Sequence, residues 1–234
     1  MRGTFLGLLL AAMALGTLTA ETSDIQASEA ISLINNARQS RIDGYFYRSE
    51  AQYRRALEIV ERTSGTHSPD LTPALNGLAE LYFDARRYTE AEALSRRSAA
   101  VVESTLGTAH PLLATALQDL AAIYHVQGQF AKAEPLYYRA LAIRENALGD
   151  NHPFVAATLA DLAEMESAQG KYDQAAQHYA RALQIRQEAF GMDDPRVAET
   201  LKGYAAVRRK TCHKREAASL EARSRAILAK AAFQ

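Results

Sequence analysis

A 42-residue period constrains this chain more than any other feature in it. Residues 107–148, GTAHPLLATALQDLAAIYHVQGQFAKAEPLYYRALAIRENAL, align without a gap on residues 149–190, with 18 identical positions. Residues 65–106 and the stretch from Gly191 keep the same frame. A fixed repeat of this length marks stacked copies of one supersecondary unit, none of which can bury its apolar face alone. Six prolines and no tryptophan in 234 residues, with abundant alanine and short β-branched runs, favour helix within each copy.

Each copy reads as two helices. In the third copy Leu117, Leu120, Ala121 and Tyr124 recur at helical spacing and form one face. The matching sets are Leu75, Leu78, Ala79 and Tyr82, then Leu159, Leu162 and Ala163. The second helix carries Ala133, Tyr137, Ala140, Leu141 and Ile143, matched by Ala175, Tyr179, Ala182, Leu183 and Ile185. Alanine here is a packing device, because a small side chain lets two helix axes approach closely. Gly128 and Gly170 end the first helices, where glycine takes the left-handed turn without strain. Arg86 and Cys212 hold that place in two other copies, so those turns are expected to be less well specified. Between copies the chain reads Ser68-Pro69, His110-Pro111, His152-Pro153 and Asp194-Pro195. Proline suits the first helical turn and drives the residue before it out of the helical region, as an N-cap requires. Pro135 falls near the start of a second helix and is expected to remove one hydrogen bond and bend that helix slightly.

The ends differ from the middle. Residues 5–18, FLGLLLAAMALGTL, carry no charge and are too short to span a bilayer comfortably. They fit the core of a signal peptide over residues 1–20, cut after Ala20 or after Gly16, with a retained anchor or a frayed N-terminal helix as the alternatives. Residues 21–29 are polar and are expected to link this segment to the array. Residues 30–64 form a worn copy, with Leu33 and Ala37 on a first helix and residues 41–44 as the turn. Its second helix holds Phe46, Tyr53, Ala56, Leu57 and Ile59. Full copies follow at 65–106, 107–148 and 149–190, and a decayed one closes the chain at 191–234. In that last copy Lys214 replaces the aromatic seen as Tyr88, Phe130 and Tyr172, and residues 208–215 hold six basic side chains, counting His213. A polar terminal unit is what an array needs where stacking stops.

Leu120-Ala121, Tyr124, Gly128, Phe130, Ala133, Tyr137, Ala140 and Leu141, with their counterparts one period on, resemble the tetratricopeptide repeat family. The resemblance is to its 42-residue variety, known from kinesin light chains and many bacterial proteins. It runs from about Ile31 to Phe233 and is strongest over Leu71 to Phe190. It implies an all-α fold, a right-handed superhelical solenoid of antiparallel helix pairs, with a peptide-binding concave surface and no chemistry of its own. In such arrays the first helices line the concave face, so the groove residues are those opposite the core residues at helical spacing. These are Asn76, Glu80 and Phe83, then Gln118, Asp119, Ala122 and His125. Next come Ala157, Ala160, Asp161, Glu164 and Ser167, and in the last copy Glu199, Lys202, Arg209 and Lys210. The expected groove is polar to acidic in its middle and basic at its C-terminal end, which suits an extended peptide or an amphipathic helix.

Charge and composition narrow the partner. Lysine plus arginine equals aspartate plus glutamate, at 27 each, which gives no reason to expect nucleic acid. Membrane contact is expected only through the basic turn at 208–215. Cys212, the single cysteine, excludes an internal disulfide and a cysteine zinc site but leaves pairing between chains open. His110 and His152 recur, yet one repeat separates their backbones by at least about 8–10 Å, too far to share an ion bound at about 2 Å. The cap position already explains them. No phosphate-binding glycine loop, serine elbow or paired-histidine helix is present in the sequence. The expectation is therefore an exported, periplasmic or secreted, non-catalytic adaptor without metal or cofactor. Its partner is a protein or peptide, in envelope protein assembly. The alternative is an accessory or regulatory subunit of a separately encoded enzyme.

Overall fold

The computed structural model describes residues 24–232, so the expected signal peptide at 1–20 lies outside the described residues. Ten α-helices account for most of that span, and no strand occurs among the described residues. They are α1 (24–42), α2 (Phe46–Ser64), α3 (Thr72–Asp84), α4 (Tyr88–Leu106), α5 (Pro111–Val126), α6 (Phe130–Leu148), α7 (Pro153–Ala168), α8 (Tyr172–Phe190), α9 (Pro195–Lys210) and α10 (Lys214–Ala231). A short 3-10 turn, Pro69–Leu71, precedes α3. Helix α1 starts inside the stretch expected as a linker. The helices form two compact units, the first ending at Leu106 and the second starting at Gly107.

The helix boundaries follow the repeat frame because the same local chemistry recurs every 42 residues. Ser68, His110, His152 and Asp194 each sit in extended backbone, and each side chain accepts from the amide two residues on. For the histidines the acceptor is Nδ1, 3.2 Å from the amides of Leu112 and Phe154. At the other end of each first helix the chain turns through a left-handed residue. Gly44, Arg86, Gly128, Gly170 and Cys212, spaced by 42, have φ of 80°, 59°, 71°, 77° and 64°. Arg86 and Cys212 thus make the turn that glycine makes elsewhere. The backbone bond that closes it is also the same, Arg87 N to Tyr82 O at 2.8 Å against Gln129 N to Tyr124 O at 2.8 Å. Tertiary packing of the flanking helices imposes the turn on side chains that resist it. Helix α6 runs unbroken through Pro135.

Within unit 2 the core is made where three helices meet. Leu120, Ala121 and Tyr124 of α5 pack with Ala133 and Tyr137 of α6 and with Leu162 and Met165 of α7. One period later Ala163 of α7, Ala175 and Tyr179 of α8, and Tyr204 and Val207 of α9 repeat the arrangement. Helices α6 and α8 therefore each fill the angle between their own first helix and the next one. In unit 1, Tyr53, Ala56 and Ile59 of α2 and Leu71, Ala74 and Leu75 are fully buried. In α1 the buried apolar side chains are Ala30, Ile34 and Ala37, while Leu33 is half-buried. Two close approaches depend on glycine. A Cβ at Gly77 would lie 2.4 Å from the Tyr53 ring, and one at Gly203 would lie 2.6 Å from the Tyr179 hydroxyl. These tyrosines lie flat against glycine backbone on the next first helix, so each ring needs the missing side chain.

Candidate binding site

The repeat that builds the core also repeats a polar device. Arg144 of α6 and Arg186 of α8 stand one period apart, and each reaches the first turn of the following helix. Arg144 Nη1 donates to Thr158 Oγ1 (2.5 Å) and to the Phe154 carbonyl (3.2 Å), while Nη2 donates to Thr115 Oγ1 (3.3 Å). Arg186 Nη1 donates to the Arg196 carbonyl (2.9 Å) and to Thr200 Oγ1 (2.7 Å). Phe154 and Arg196 are equivalent positions, as are Thr158 and Thr200. Burial lowers the pKa of both guanidiniums and neighbouring carboxylates oppose it, Asp161 for both and Glu199 for Arg186. Both stay charged, since a guanidinium does not lose its proton in proteins.

Gln118 of α5 couples one of these arginines to a carboxylate. Its Oε1 accepts from Arg144 Nη1, and its Nε2 donates to Asp161 Oδ2 on α7. The amide therefore has one orientation and holds the aspartate in place. Burial pushes the Asp161 carboxyl up to about 6. The Gln118 bond opposes that shift, Glu164 adds to it, and Arg144 and Arg186 act against it. Burial, together with Asp161 and Glu164, also raises the pKa of Tyr137 and Tyr179, so both phenols stay neutral.

Asp161 opens onto a pocket of about 170 Å³ between three helices of unit 2. Ala160, Asp161 and Glu164 come from α7, Tyr179 and Arg186 from α8, and Glu199 and Thr200 from α9. Among the side chains expected on the open face, the structure brings Asp161, Glu164, Ala160 and Glu199 to this one place and ties Gln118 to it by a hydrogen bond. Asp119 is half-buried on α5. His125 is half-buried too. Its ring lies 5.9 Å from that of Phe130, and burial lowers its pKa. Lys202 and Arg209 line a separate cleft of about 490 Å³ between α9 and α10, where Arg209 pairs with Glu221.

The three expected residues of unit 1 do other things. Asn76 is 8% exposed and its Oδ1 has no partner, so it belongs to the core rather than to an open face. Glu80 pairs with Arg41 at 2.8 Å. Phe83 packs edge-on against Tyr88, 5.7 Å between ring centres. In the basic turn, Arg208 pairs with Glu216 at 3.1 Å, and Cys212 is exposed and free. Sequence reasoning missed Arg144, Thr158, Arg186 and Thr200. Their signal was recurrence at the repeat period of residue types that a helix core does not need. No group of three or more metal-ligating side chains occurs among the described residues, and no helix among them is long and apolar enough to cross a membrane.

Helix pairs in a 42-residue frame, closed by left-handed turns and opened by capped prolines, define an all-α repeat protein. A tetratricopeptide repeat family model matches residues 70–146, 119–188 and 157–230. These matches span well over half of the chain, which belongs to the tetratricopeptide repeat family. No curated protein matches it closely enough to count as a relative. Among solved structures it is similar to BtubC (BKLC) from P. vanneervenii, with a TM-score of 0.73 at 22% identity over 91% of this chain and 93% of that one. It is also similar to the nearly identical TPR-like repeats of a Podosopora anserina protein described as a kinesin light chain, with a TM-score of 0.72 at 23% identity over 89% and 98% of the two chains. Aspartyl phosphate phosphatase F from Bacillus subtilis matches with a TM-score of 0.65 at 15% identity, over 86% of this chain and 60% of its own. At these identities the likeness is one of fold. The fold is one that generally mediates protein–protein interaction and is typically non-catalytic.

Proposed function

We propose that this protein is an adaptor that holds a peptide or helix of a protein partner on the first-helix face of unit 2. The observation that carries the reading is the convergence of Asp161, Glu164 and Glu199 from two first helices on one pocket, beside a half-buried Arg186 and a buried Tyr179. A first helix whose outer face served only solvation has no need of the Gln118 amide and the Arg144 guanidinium that fix Asp161 in place. Fixed polar groups at a half-open site recognise a ligand at low ordering cost. The uncharged run at residues 5–18 supports export, and so a role in assembling other proteins of the cell envelope.

The test is recovery of partners by the tagged chain from envelope extracts. Glu164→Lys and Glu199→Lys each reverse a charge on the face without touching the core, since both side chains are exposed. Loss of a partner that wild type recovers, with helicity unchanged, supports the assignment. Recovery of the same partners by both variants rejects it.

A further inference from the structure

The pocket at α7, α8 and α9 has a chemistry more specific than a polar face. Three carboxylates, Asp161, Glu164 and Glu199, line it against one guanidinium, Arg186. That guanidinium is already engaged. Its Nη1 donates to the Arg196 carbonyl at 2.9 Å and to Thr200 Oγ1 at 2.7 Å, bonds that fix the start of α9, and its single charge offsets only one of the three carboxylates. The second nearby cation, Arg144, is 5% exposed and is held by Gln118, Thr158, Thr115 and the Phe154 carbonyl, so it cannot swing in. The third, Arg196, turns outward to pair with Asp194 at 2.7 Å. The wall of the pocket carries a further, independent signal. Tyr179 is 7% exposed, lines the pocket, and its hydroxyl makes no hydrogen bond to any described residue. The phenol oxygen reaches the pocket with its acceptor sites open to a ligand. Gly203 lets that ring reach its position, because any larger residue there would strike it.

We infer that this pocket receives a single lysine or arginine side chain of a partner peptide, held by the carboxylates of Asp161, Glu164 and Glu199 and by the Tyr179 hydroxyl. The inference rests on the first-helix face of unit 2 being the binding face and adds the chemistry of what enters it. An ammonium or guanidinium supplies the donors that carboxylates and a neutral phenol oxygen accept. The space of about 170 Å³ holds one long side chain but not a folded element. Its apolar stem would lie along Ala160 and the Tyr179 ring, as long cationic side chains commonly do. An acidic side chain meets three like charges against the single guanidinium of Arg186.

The experiment uses the full chain labelled with nitrogen-15 and four capped pentapeptides, alanine throughout except for a central lysine, arginine, norleucine or glutamate. Amide spectra are recorded as each peptide is titrated in. The lysine or the arginine peptide is expected to move the signals of Ala160, Glu164, Glu199 and Thr200, with norleucine and glutamate leaving them in place. Whichever cation binds tighter names the side chain. The double variant Glu164→Gln/Glu199→Gln, whose wild-type residues are both exposed, should weaken that binding by about tenfold, and added salt should weaken wild type in the same direction. Equal shifts with norleucine, stronger shifts with glutamate, or no shift with either cation overturns the inference. These outcomes differ from failure of the binding face itself. If Glu164→Lys loses a recovered partner while the cationic peptides do nothing, the face stands and the cation assignment falls.

Discussion

Replacing Asp161 by asparagine should stabilise this protein at neutral pH. Asparagine keeps the shape of the side chain and an oxygen to accept from Gln118 Nε2, so the bond between α5 and α7 survives. What it removes is a charge held among protein groups. The carboxyl is pushed from 3.8 up to about 6 by burial, and a difference of that size corresponds to about 3 kcal/mol. The attraction of Arg144 and Arg186 is already contained in that balance, so the expected gain is about 1–3 kcal/mol. The sign follows from proton linkage. The folded state holds this proton more tightly than the unfolded state, so acid favours folding and the full cost of ionisation is felt above pH about 6. The advantage of Asp161→Asn should therefore be complete at pH 7.5, shrink as pH falls through 6, and vanish near 4. Urea unfolding followed by helical circular dichroism at several pH values measures it, provided the slopes of variant and wild type agree. An asparagine variant less stable than wild type at pH 7.5 would refute the reasoning, since it would show that the ionised carboxylate strengthens the fold through Gln118 and the two arginines. A wild type held by a charge it would fold better without is what a site kept for binding looks like.

Three further perturbations probe the frame. Gly203→Ala sets a methyl 2.6 Å from the Tyr179 hydroxyl and should cost about 1–3 kcal/mol, with much of the loss restored in Gly203→Ala/Tyr179→Leu. Cys212→Gly relieves a left-handed residue at φ 64° and should raise stability by about 0.5–1 kcal/mol in thermal unfolding, whereas Cys212→Ala should not. His152→Ala removes the acceptor for the Phe154 amide and should cost about 1 kcal/mol, while His152→Asn should match or exceed wild type.

The architecture could be read from the sequence because helix stacking is written in a few residue types at fixed spacing. Tyr53, Tyr137 and Tyr179, the alanines beside them and the Pro-led starts all lie where the frame puts them. The worn first copy shows where that reading weakens. Without the leucine-alanine pair of the later copies, α1 buries Ile34 and leaves Leu33 half-exposed, a phase shift of one residue. Arg86 and Cys212 show the opposite case, in which packing of the flanking helices overrides a local preference against the left-handed turn. At the site, spacing placed Asp161 and Glu164 on the outer face of a first helix. It could not show that Gln118 and Arg144 would close on Asp161, because those bonds join residues on α5, α6 and α7. Asn76 fell into the core for a related reason. Helix α3 is covered on both sides, with Thr72, Asn76 and Gly77 buried along with its leucines, and helical spacing alone does not report the second side.

The binding face is tested most directly by photo-crosslinking in cells that make the protein. A photoreactive residue replaces Glu164 at the pocket or, in a second strain, Gln177 on the exposed side of α8 facing away from it. The account predicts a discrete covalent adduct from position 164 and none from position 177. An adduct from 177 with nothing at 164 would place the partner on the other side of the helix pairs and contradict the account.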